Sequence, residues 1–327
     1  PFVETEDQLT AIEAVKAMRD GRCRAFISLG GNLPVAMSDP QVAFEGMRKL
    51  DLAVHIATKL NRSHLLLADT SVILPCLGRT ERDEQATGLQ AVTVEDSVAN
   101  VHASAGKLEP ASPHLKSEPA IVAGIAKATI ADSKVPWDAF VSDYNRIRDA
   151  IEKVFPAFHD FNARVREPGG FHLYIAARHR EWMTPNKKAN FIVFEGLEGD
   201  PRFADPEALV LATVRSHDQY NTTIYGYDDR YRGITGRRDV VFLNKEDLAA
   251  RKLRHGDLID VEALPMPGNA SGTRVLRGLT AVEFDIARGS AAAYYPEANG
   301  LVDLGHYDKR SGTPSYKSIP VMVRPSA

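Results

Sequence analysis

Residues 213–222 form a polar stretch whose side chains could hold a ligand. The stretch directly follows the apolar run Leu209-Val210-Leu211, and nine of its ten residues can form side-chain hydrogen bonds. Arg215 presents a planar fork suited to phosphate oxygens, and the Thr, Ser and Asn side chains add short hydroxyl and amide contacts. Composition alone favours a solvated surface loop and a ligand-binding loop about equally.

The C-terminal stretch has a second set of side chains suited to a ligand. Tyr294-Tyr295-Pro296-Glu297-Ala298-Asn299 combines an aromatic pair with an amide, and Lys317 lies just before the final apolar run. An aromatic pair, an amide and a lysine could hold a planar heterocycle and its phosphate. The alternative is that these residues belong to surface loops between barrel strands.

Three segments in the first half are weaker candidates. Gly30-Gly31-Asn32 follows an apolar run and could let a ligand approach the backbone, although it lacks the GxGxxG pattern and is also typical of a plain turn. The polar, basic segment around Thr58-Lys59 is also typical of a helix start. Glu81-Arg82-Asp83-Glu84 is more typical of a solvated charge run.

Other familiar chemistries are disfavoured by residue type and spacing. The histidines show no i, i+4 pair, and the two cysteines, Cys23 and Cys76, form no CxxC pair, which argues against zinc or an iron–sulfur cluster within this chain. Ser216-His217-Asp218 is no catalytic triad, because adjacent residues cannot point at one another as that geometry requires. Two cysteines in a chain of this length indicate reduced thiols and a cytoplasmic protein.

The elements that must position the first-half candidates alternate between helix and strand. Apolar spacing predicts helices near the N-terminus and over residues 41–50, 120–130 and 137–154. Short apolar runs predict strands Ala25–Leu29, Leu52–Ala57 and residues 72–75. Strands separated by helical crossovers predict an α/β domain with a doubly wound parallel sheet, whose ligands lie beyond the strands' carboxyl ends.

The character of the sequence changes between about residues 165 and 190, where short strands separated by Gly, Pro, Asn and Asp begin. We therefore expect a first domain of residues 1–175 and a mostly β second domain of residues 176–327, closed or nearly closed as a barrel. One short helix is expected within it, centred on Lys245–Ala250. The predicted strands are residues 191–194, Leu209–Val214, Val240–Leu243, 258–261 and 321–323.

Bulk composition excludes several classes of protein. Hydrophobic residues make up 44% and charged residues 25% of the 327 residues, as in soluble globular proteins. The net charge of -3 gives no reason to expect nucleic acid or an anionic membrane as a partner, and no apolar run is long enough to span a bilayer. The acidic start, without methionine or signal peptide, is expected of a piece cut from a longer chain.

Several segments in a shared order resemble the C-terminal half of the molybdopterin-guanine-dinucleotide oxidoreductases, the formate dehydrogenase and nitrate reductase family. The likeness is greatest to the formate dehydrogenase alpha-subunit-like branch, and it covers essentially the whole chain. It implies an α/β domain followed by a pterin-dinucleotide-binding barrel of the double-psi type. The segments that carry it are Thr184-Pro185-Asn186-Lys187-Lys188-Ala189-Asn190-Phe191, residues 211–222, Val241-Phe242-Leu243-Asn244-Lys245-Glu246-Asp247, Leu253-Arg254-His255-Gly256-Asp257 and the ending from Asn299 to Lys317.

The resemblance also implies which residues contact the cofactor. Leu33 stands where the family often has proline, and Asn186-Lys187 replaces the more usual Ser-Gly, so the contacts in the first domain are the least determined. The loop of residues 213–222 matches the segment that wraps the pterin and pyrophosphate. The implied cofactor contacts are Asn32, Thr58, Lys59, Arg82, Glu118, Thr213, Arg215, Ser216, His217, Gln219, Tyr220, Asn221, Thr222, Asn299 and Lys317.

By resemblance, the cofactor is bis(molybdopterin guanine dinucleotide) with molybdenum or tungsten, and the substrate is a small molecule, with formate one candidate. The family's iron–sulfur cysteines, metal ligand and substrate-facing residues lie upstream, so we assign no catalytic residue and no metal ligand here. We expect the chain to need the N-terminal half of the same enzyme and to be inactive alone. Two alternatives stay open: a separate non-catalytic subunit that holds the cofactor for a catalytic partner, and an unrelated nucleotide-binding α/β enzyme.

Overall fold

A computed structural model of the 327-residue chain describes residues 8–193, 196, 200, 203–266 and 272–326. Its first half contains a parallel sheet with flanking helices and a small antiparallel sheet, and its second half is a closed barrel. The helices and strands of the first half are α1 (Ala11–Arg19), β1 (Ala25–Leu29), α2 (Leu33–Ala36), α3 (Pro40–Arg48), β2 (Leu52–Ala57), β3 (Thr70–Pro75), β4 (Glu84–Gln85), β5 (Gly88–Leu89), β6 (Val92–Glu95), β7 (Asn100–Ser104), α4 (Glu118–Thr129), α5 (Trp137–Ser142), α6 (Tyr144–Val154), α7 (Phe161–Arg164) and β8 (Phe171–His172).

Local sequence signals account for several of these helix boundaries. Helix α1 begins after Thr10, which forms a capping box with Glu13, and α4 begins after Ser117, whose hydroxyl accepts from the Ala120 amide. Residues 137–154 do not form the single helix predicted from the sequence. They break at Asp143, whose carboxylate accepts from the Asn145 amide and starts a new helix, α6.

The parallel sheet has the strand order β1-β2-β3, with all pairs parallel. The predicted parallel pairing is therefore present, but the described residues do not show the predicted doubly wound sheet. A doubly wound sheet reverses its strand order, whereas these strands follow one another consecutively. Only the first crossover carries α-helices, and a short 3-10 helix, Arg62–Leu65, connects β2 to β3. Helices α1 and α3 pack on one face of the sheet through Phe26, and α4 packs on the other through Ile56.

The elements of the second half are β9 (Leu209–Val214), β10 (Gln219–Tyr220), β11 (Thr223–Ile224), β12 (Val240–Leu243), α8 (Lys245–Ala250), β13 (Leu258–Ala263), β14 (Arg274–Glu283), β15 (Ser290–Tyr294) and β16 (Ile319–Pro325). Six of these strands close into a barrel in the order β12-β14-β13-β16-β9-β15. Strands β12 and β14 pair in parallel, as do β9 and β15, and the other neighbours are antiparallel. The predicted barrel and the predicted helix α8 are thus confirmed.

Alternating side chains of the barrel strands form its core. Leu209 and Leu211 of β9, Ile259 and Val261 of β13 and Val321 of β16 are all almost fully buried and pack together. The sequence predicted these strands as short apolar runs, and the alternation of buried and less buried side chains appears in the structure. The expected strand over residues 191–194 is absent at residues 191–193, which lie exposed outside any strand, and residue 194 lies outside the described part.

A buried ion cluster joins the two halves. The Arg274 guanidinium on β14 donates to the Asp39 carboxylate before α3 at 2.6 Å and to the Asp303 carboxylate at 2.8 Å. Both carboxylates are buried, with 7% and 2% of their surfaces exposed. The hydrogen bonds and charges of the two carboxylates outweigh the effect of burial and raise the pKa of Arg274. The barrel is thereby attached to the segment between α2 and α3.

A close backbone approach at Gly106 gives a testable stability difference. A Cβ atom added there would lie 1.9 Å from the Glu81 carbonyl oxygen, so the loop would have to move. We expect Gly106→Ala to lower the free energy of unfolding by about 2 kcal/mol or more. The matched control is Gly124→Ala inside α4, where an added Cβ atom would lie within 4 Å of no described atom outside the helix's own backbone and the neighbouring residues. That change is expected to stabilise the helix by about 0.5–1 kcal/mol. Urea unfolding of both variants would measure this, and equal midpoints would contradict the close contact.

No helix among the described residues is both long enough and apolar enough to cross a membrane.

Candidate functional site

Polar side chains of the second half contact the end of helix α2, and we call this region the joint. The Asn299 side-chain amide donates to the carbonyl oxygens of Val35 at 3.0 Å and Ala36 at 3.3 Å. The Tyr316 hydroxyl also donates to the Ala36 carbonyl, at 2.6 Å. The short 3-10 helix that carries Asn299, Glu297–Leu301, is therefore held against α2.

Two amide oxygens at this joint are buried and have no hydrogen-bond partner among the described residues. They are Oδ1 of Asn299, a residue with 0% of its surface exposed, and Oδ1 of Asn32, the residue before α2. Because burying an unpaired polar atom costs free energy, such atoms are satisfied in a working protein by water or by a ligand. Both oxygens are acceptors, so a matching ligand would present N–H or O–H donors here.

Two cations lie beside this joint. The Lys317 ammonium donates to the Thr213 carbonyl oxygen, and the Arg215 guanidinium lies 5.7 Å from the ring centroid of Tyr295. Burial and the neighbouring positive charge of Arg215 lower the pKa of Lys317. Among the described residues neither cation is paired with a carboxylate. An anion placed between them would offset their mutual repulsion and the desolvation of Lys317.

The loop of residues 213–222 divides into an inward and an outward side. Thr213 is 1% exposed and lies on the face of β9 that carries Leu209 and Leu211, so its side chain faces the barrel interior. Ser216 and Gln219 are turned inward as well, and both accept hydrogen bonds from the Arg238 guanidinium, at 2.6 and 3.0 Å. Ser216 and Gln219 thus tie the loop to Arg238, and Thr213 is buried in the barrel wall; their expected contacts with a cofactor stay predictions.

The outward side ends in a hairpin. Strands β10 and β11 pair around a two-residue turn, in which Asn221 has a φ of 50° and its side chain accepts from Arg215 at 2.9 Å. Tyr220 is 70% exposed and Thr222 lies beside it at the turn. The structure therefore places Tyr220, Asn221 and Thr222 where they can reach a ligand on the same side as Arg215.

His217 is held by its neighbours and does not extend freely. Its Nδ1 lies 2.9 Å from the Asp218 carboxylate, and its Nε2 lies 2.8 Å from an Arg230 nitrogen. The ring packs edge-on against Tyr231 at 4.6 Å. Only a rearrangement of these contacts would allow both ring nitrogens to face a ligand.

Two of the five first-half candidates, Thr58 and Glu118, line one cavity at the carboxyl edge of the parallel sheet. Thr58 follows β2, and it lines a cavity of about 510 Å³ together with Arg79, Glu81 and Glu118. The Asn61 amide donates to the Gly31 carbonyl at 2.8 Å, which links this edge to the loop that precedes Asn32. Lys59 is exposed and does not line that cavity.

Arg82, which the resemblance implied as a cofactor contact, is paired with acidic side chains. Its guanidinium is paired with the carboxylates of Glu84 and Glu109, the latter at 3.0 Å, and these charges raise its pKa. It lines a neighbouring cavity of about 660 Å³. Arg82 would therefore have to break its ion pairs with both carboxylates before it could bind a phosphate.

Two residues of the site went unrecognised in the sequence. Tyr316 contacts the end of α2, and Arg238 organises the polar loop. Tyr316 directly precedes Lys317, and that adjacency is a local signal that could have identified it. Arg238 carries no such signal, because its partners lie far from it along the chain.

The comparisons with known proteins agree with a cofactor-binding barrel. Residues 209–320 match the family described as "Molydopterin dinucleotide binding domain". This range begins at β9 and ends within β16, so it contains five of the six barrel strands and the start of the sixth. The barrel is accordingly similar to molybdopterin dinucleotide-binding domains.

Curated relatives extend beyond the barrel. "Protein YdeP" of Escherichia coli (strain K12) is 52% identical over 316 residues, which is 97% of this chain and 42% of that protein. "Uncharacterized oxidoreductase Rv2900c" of Mycobacterium tuberculosis is 45% identical over 319 residues, 97% of this chain and 41% of that protein. The chain thus spans about two fifths of the length of the curated relatives it matches, and those relatives include proteins named oxidoreductases.

A solved structure shares the fold. "Acetylene Hydratase from Pelobacter acetylenicus" superposes with a TM-score of 0.58 at 16% identity, covering 96% of this chain and 46% of that one. The likeness extends over both halves of the chain, so the arrangement of the first half with the barrel occurs in another protein as well.

Proposed function

We propose that this chain is the cofactor-holding C-terminal portion of a molybdenum or tungsten oxidoreductase that uses bis(molybdopterin guanine dinucleotide). The supporting observation is the pair of adjacent cations, Arg215 and Lys317, at a joint that also buries an unpartnered Asn299 oxygen. A pterin dinucleotide carries anionic pyrophosphate and N–H-bearing heterocycles, so it matches both features. When bound, the cofactor supplies the redox chemistry, and the protein orients it and tunes it.

The residues of this chain have separable roles in that proposal. Arg215 and Lys317 hold pyrophosphate oxygens, and Asn221 fixes the position of Arg215. Asn299 and Asn32 accept hydrogen bonds from the pterin ring system. Thr58 and Glu118 face the nucleotide end from the cavity at the carboxyl edge of the sheet. Ser216 and Gln219 stay on the inner side of the loop and affect cofactor binding by fixing the shape of that loop.

The partner in this proposal is the rest of a longer polypeptide, on its N-terminal side. Parallel sheets are normally covered on both faces. Here Ile27 and Leu29 of β1 are 54% and 53% exposed, and Val72 of β3 is in register with Ile27 across Val54. These side chains share a face with Ile56, on which α4 packs, but they stay exposed beside that helix. This exposed apolar strip is suited to packing against another part of the enzyme, and the curated relatives are more than twice as long as the aligned region.

The finer assignments belong to the same proposal. We infer formate dehydrogenase-like activity from the resemblance in the sequence, and a double-psi barrel from the two parallel strand pairs, β9/β15 and β12/β14. The division into residues 1–175 and 176–327 is supported by the confinement of the barrel strands to residues beyond 208. The free thiols of Cys23 and Cys76 suit a cytoplasmic protein.

The direct test is to purify the full-length protein from a host that makes the pterin cofactor. We expect oxidative release to yield fluorescent pterin and guanine nucleotide, together with molybdenum or tungsten in about half the molar amount of pterin. Formate-dependent dye reduction would then test the substrate separately. Protein that is folded but free of pterin, from a host whose own molybdenum enzymes are loaded, would refute the proposal.

A further inference from the structure

Arg238 is a buried cation whose contacts all lie in segments that carry proposed ligand residues. It lies just before β12 and has 5% of its side chain exposed. Its Nε and Nη2 form a bidentate pair with the Glu297 carboxylate at 2.6 and 3.0 Å. Nη1 donates to the Ser216 hydroxyl at 2.6 Å, and Nη2 donates to the Gln219 side-chain oxygen at 3.0 Å and the Tyr295 carbonyl at 2.8 Å.

These contacts tie two separate segments together. Ser216 and Gln219 belong to the loop that carries Arg215 and Asn221. Glu297 begins the 3-10 helix Glu297–Leu301, which carries Asn299. Gln219 strengthens the link, because its amide donates to the Tyr295 carbonyl at 2.6 Å and to the Asn221 carbonyl at 2.7 Å. The Arg238 guanidinium therefore sets the distance between the loop that carries Arg215 and the 3-10 helix that carries Asn299.

Arginine suits this position because of its shape. The flat guanidinium lies over the Tyr294 ring, with its central carbon 4.6 Å from the ring centroid, and its donors point in several fixed directions in one plane. A lysine ammonium is a point charge, so it could not satisfy the Ser216 hydroxyl, the Tyr295 carbonyl and both Glu297 oxygens together.

We propose that Arg238 is a positioning residue that holds the loop of residues 213–222 and the helix Glu297–Leu301 at the spacing a pterin dinucleotide requires. This inference rests on the proposed function for the identity of the ligand. The ordering of the two segments, by contrast, is a property of the protein alone. Arg238 itself faces inward and does not contact the cofactor.

The test compares Arg238→Lys with Arg237→Lys in the full-length protein. Arg237 is the adjacent arginine, 44% exposed and paired with Asp239 at 2.8 Å, and it touches neither segment. In Arg238→Lys we expect amide hydrogen exchange to rise at least about tenfold in peptides covering residues 213–222 and 295–301, with the rest of the barrel unchanged. Bound pterin is expected to fall at least about fivefold. Arg237→Lys should match the wild type in both measurements.

A milder variant separates positioning from general stability. Ser216→Ala removes one acceptor, so it should speed exchange in residues 213–222 and leave residues 295–301 protected. Unchanged exchange in both segments of Arg238→Lys would overturn the inference, and so would faster exchange with full retention of pterin. If the wild-type protein carries no pterin, the proposed function fails, while the exchange measurements still decide whether Arg238 orders the two segments.

Discussion

Removing both cations, Arg215→Ala with Lys317→Ala, is expected to lower the pterin content of the full-length protein at least about tenfold. Each charge-assisted hydrogen bond contributes about 1.5–3 kcal/mol, so the loss of two corresponds to about a hundredfold or more in affinity. The two side chains lack carboxylate partners among the described residues, so their removal leaves no carboxylate stranded. Pterin fluorescence per mole of protein is the measurement.

The matched controls are two exposed cations elsewhere on the second half. Lys309 lies over the Tyr307 ring at 4.0 Å, and Arg277 on β14 is 74% exposed. We expect Lys309→Ala with Arg277→Ala to keep full pterin content, which would exclude a general effect of lost positive charge. Full pterin content in the Arg215 and Lys317 double variant would show that these cations do not bind the phosphates.

The second large effect is expected at the ion cluster between the two halves. Arg274→Met removes the guanidinium between the buried carboxylates of Asp39 and Asp303. Leaving buried charge without its partner costs about 3–5 kcal/mol, so the free energy of unfolding should fall by that amount. Because Asp39 belongs to the first half and Asp303 to the second, we also expect the two halves to unfold at different urea concentrations. Urea titration followed by circular dichroism and by tryptophan fluorescence would show both effects.

Two further variants test the reason for this loss. Arg277 lies three positions after Arg274 on the same strand, and its exposed side chain pairs with Asp260. Arg277→Met removes this pair and should lower the free energy of unfolding by no more than about 1 kcal/mol. Adding Asp39→Asn and Asp303→Asn to Arg274→Met removes the stranded charge and should restore much of the stability. An unfolding midpoint of Arg274→Met equal to that of the wild type would show that the cluster contributes little.

The two sides of the site differ in the charges that they present. The barrel side presents two cations without carboxylate partners among the described residues and an unpartnered buried amide oxygen. The first-half side presents Thr58 and Glu118 in a cavity that also contains Arg79 and Glu81, while Arg82 is engaged by carboxylates. The anionic part of a dinucleotide is therefore matched mainly by the barrel.

The sequence alone predicted the elements whose apolar residues form a distinct run or recur at helical spacing. Strands β1, β2, β9 and β12 were predicted within the residues where they occur, because each is a short apolar run, and helix α8 was predicted in the gap between two such runs. The polar stretch was recognisable because residues that can form hydrogen bonds directly follow the apolar strand β9. Strand β15 was missed, because Ser290–Tyr294 is mostly alanine and shows no alternation.

Only the tertiary structure decided which way the polar side chains face. The sequence grouped Ser216 and Gln219 with Arg215 as ligand contacts, but the fold turns the first two toward Arg238. That contact could not be predicted, since the Arg238 partners lie 19 to 59 residues away and meet it only when the barrel closes. The sequence by itself thus determined that a polar, cationic loop follows a barrel strand. Barrel closure and the docking of α2 decided which of its side chains are left to bind a cofactor, because burial and hydrogen bonding depend on distant segments brought together in space.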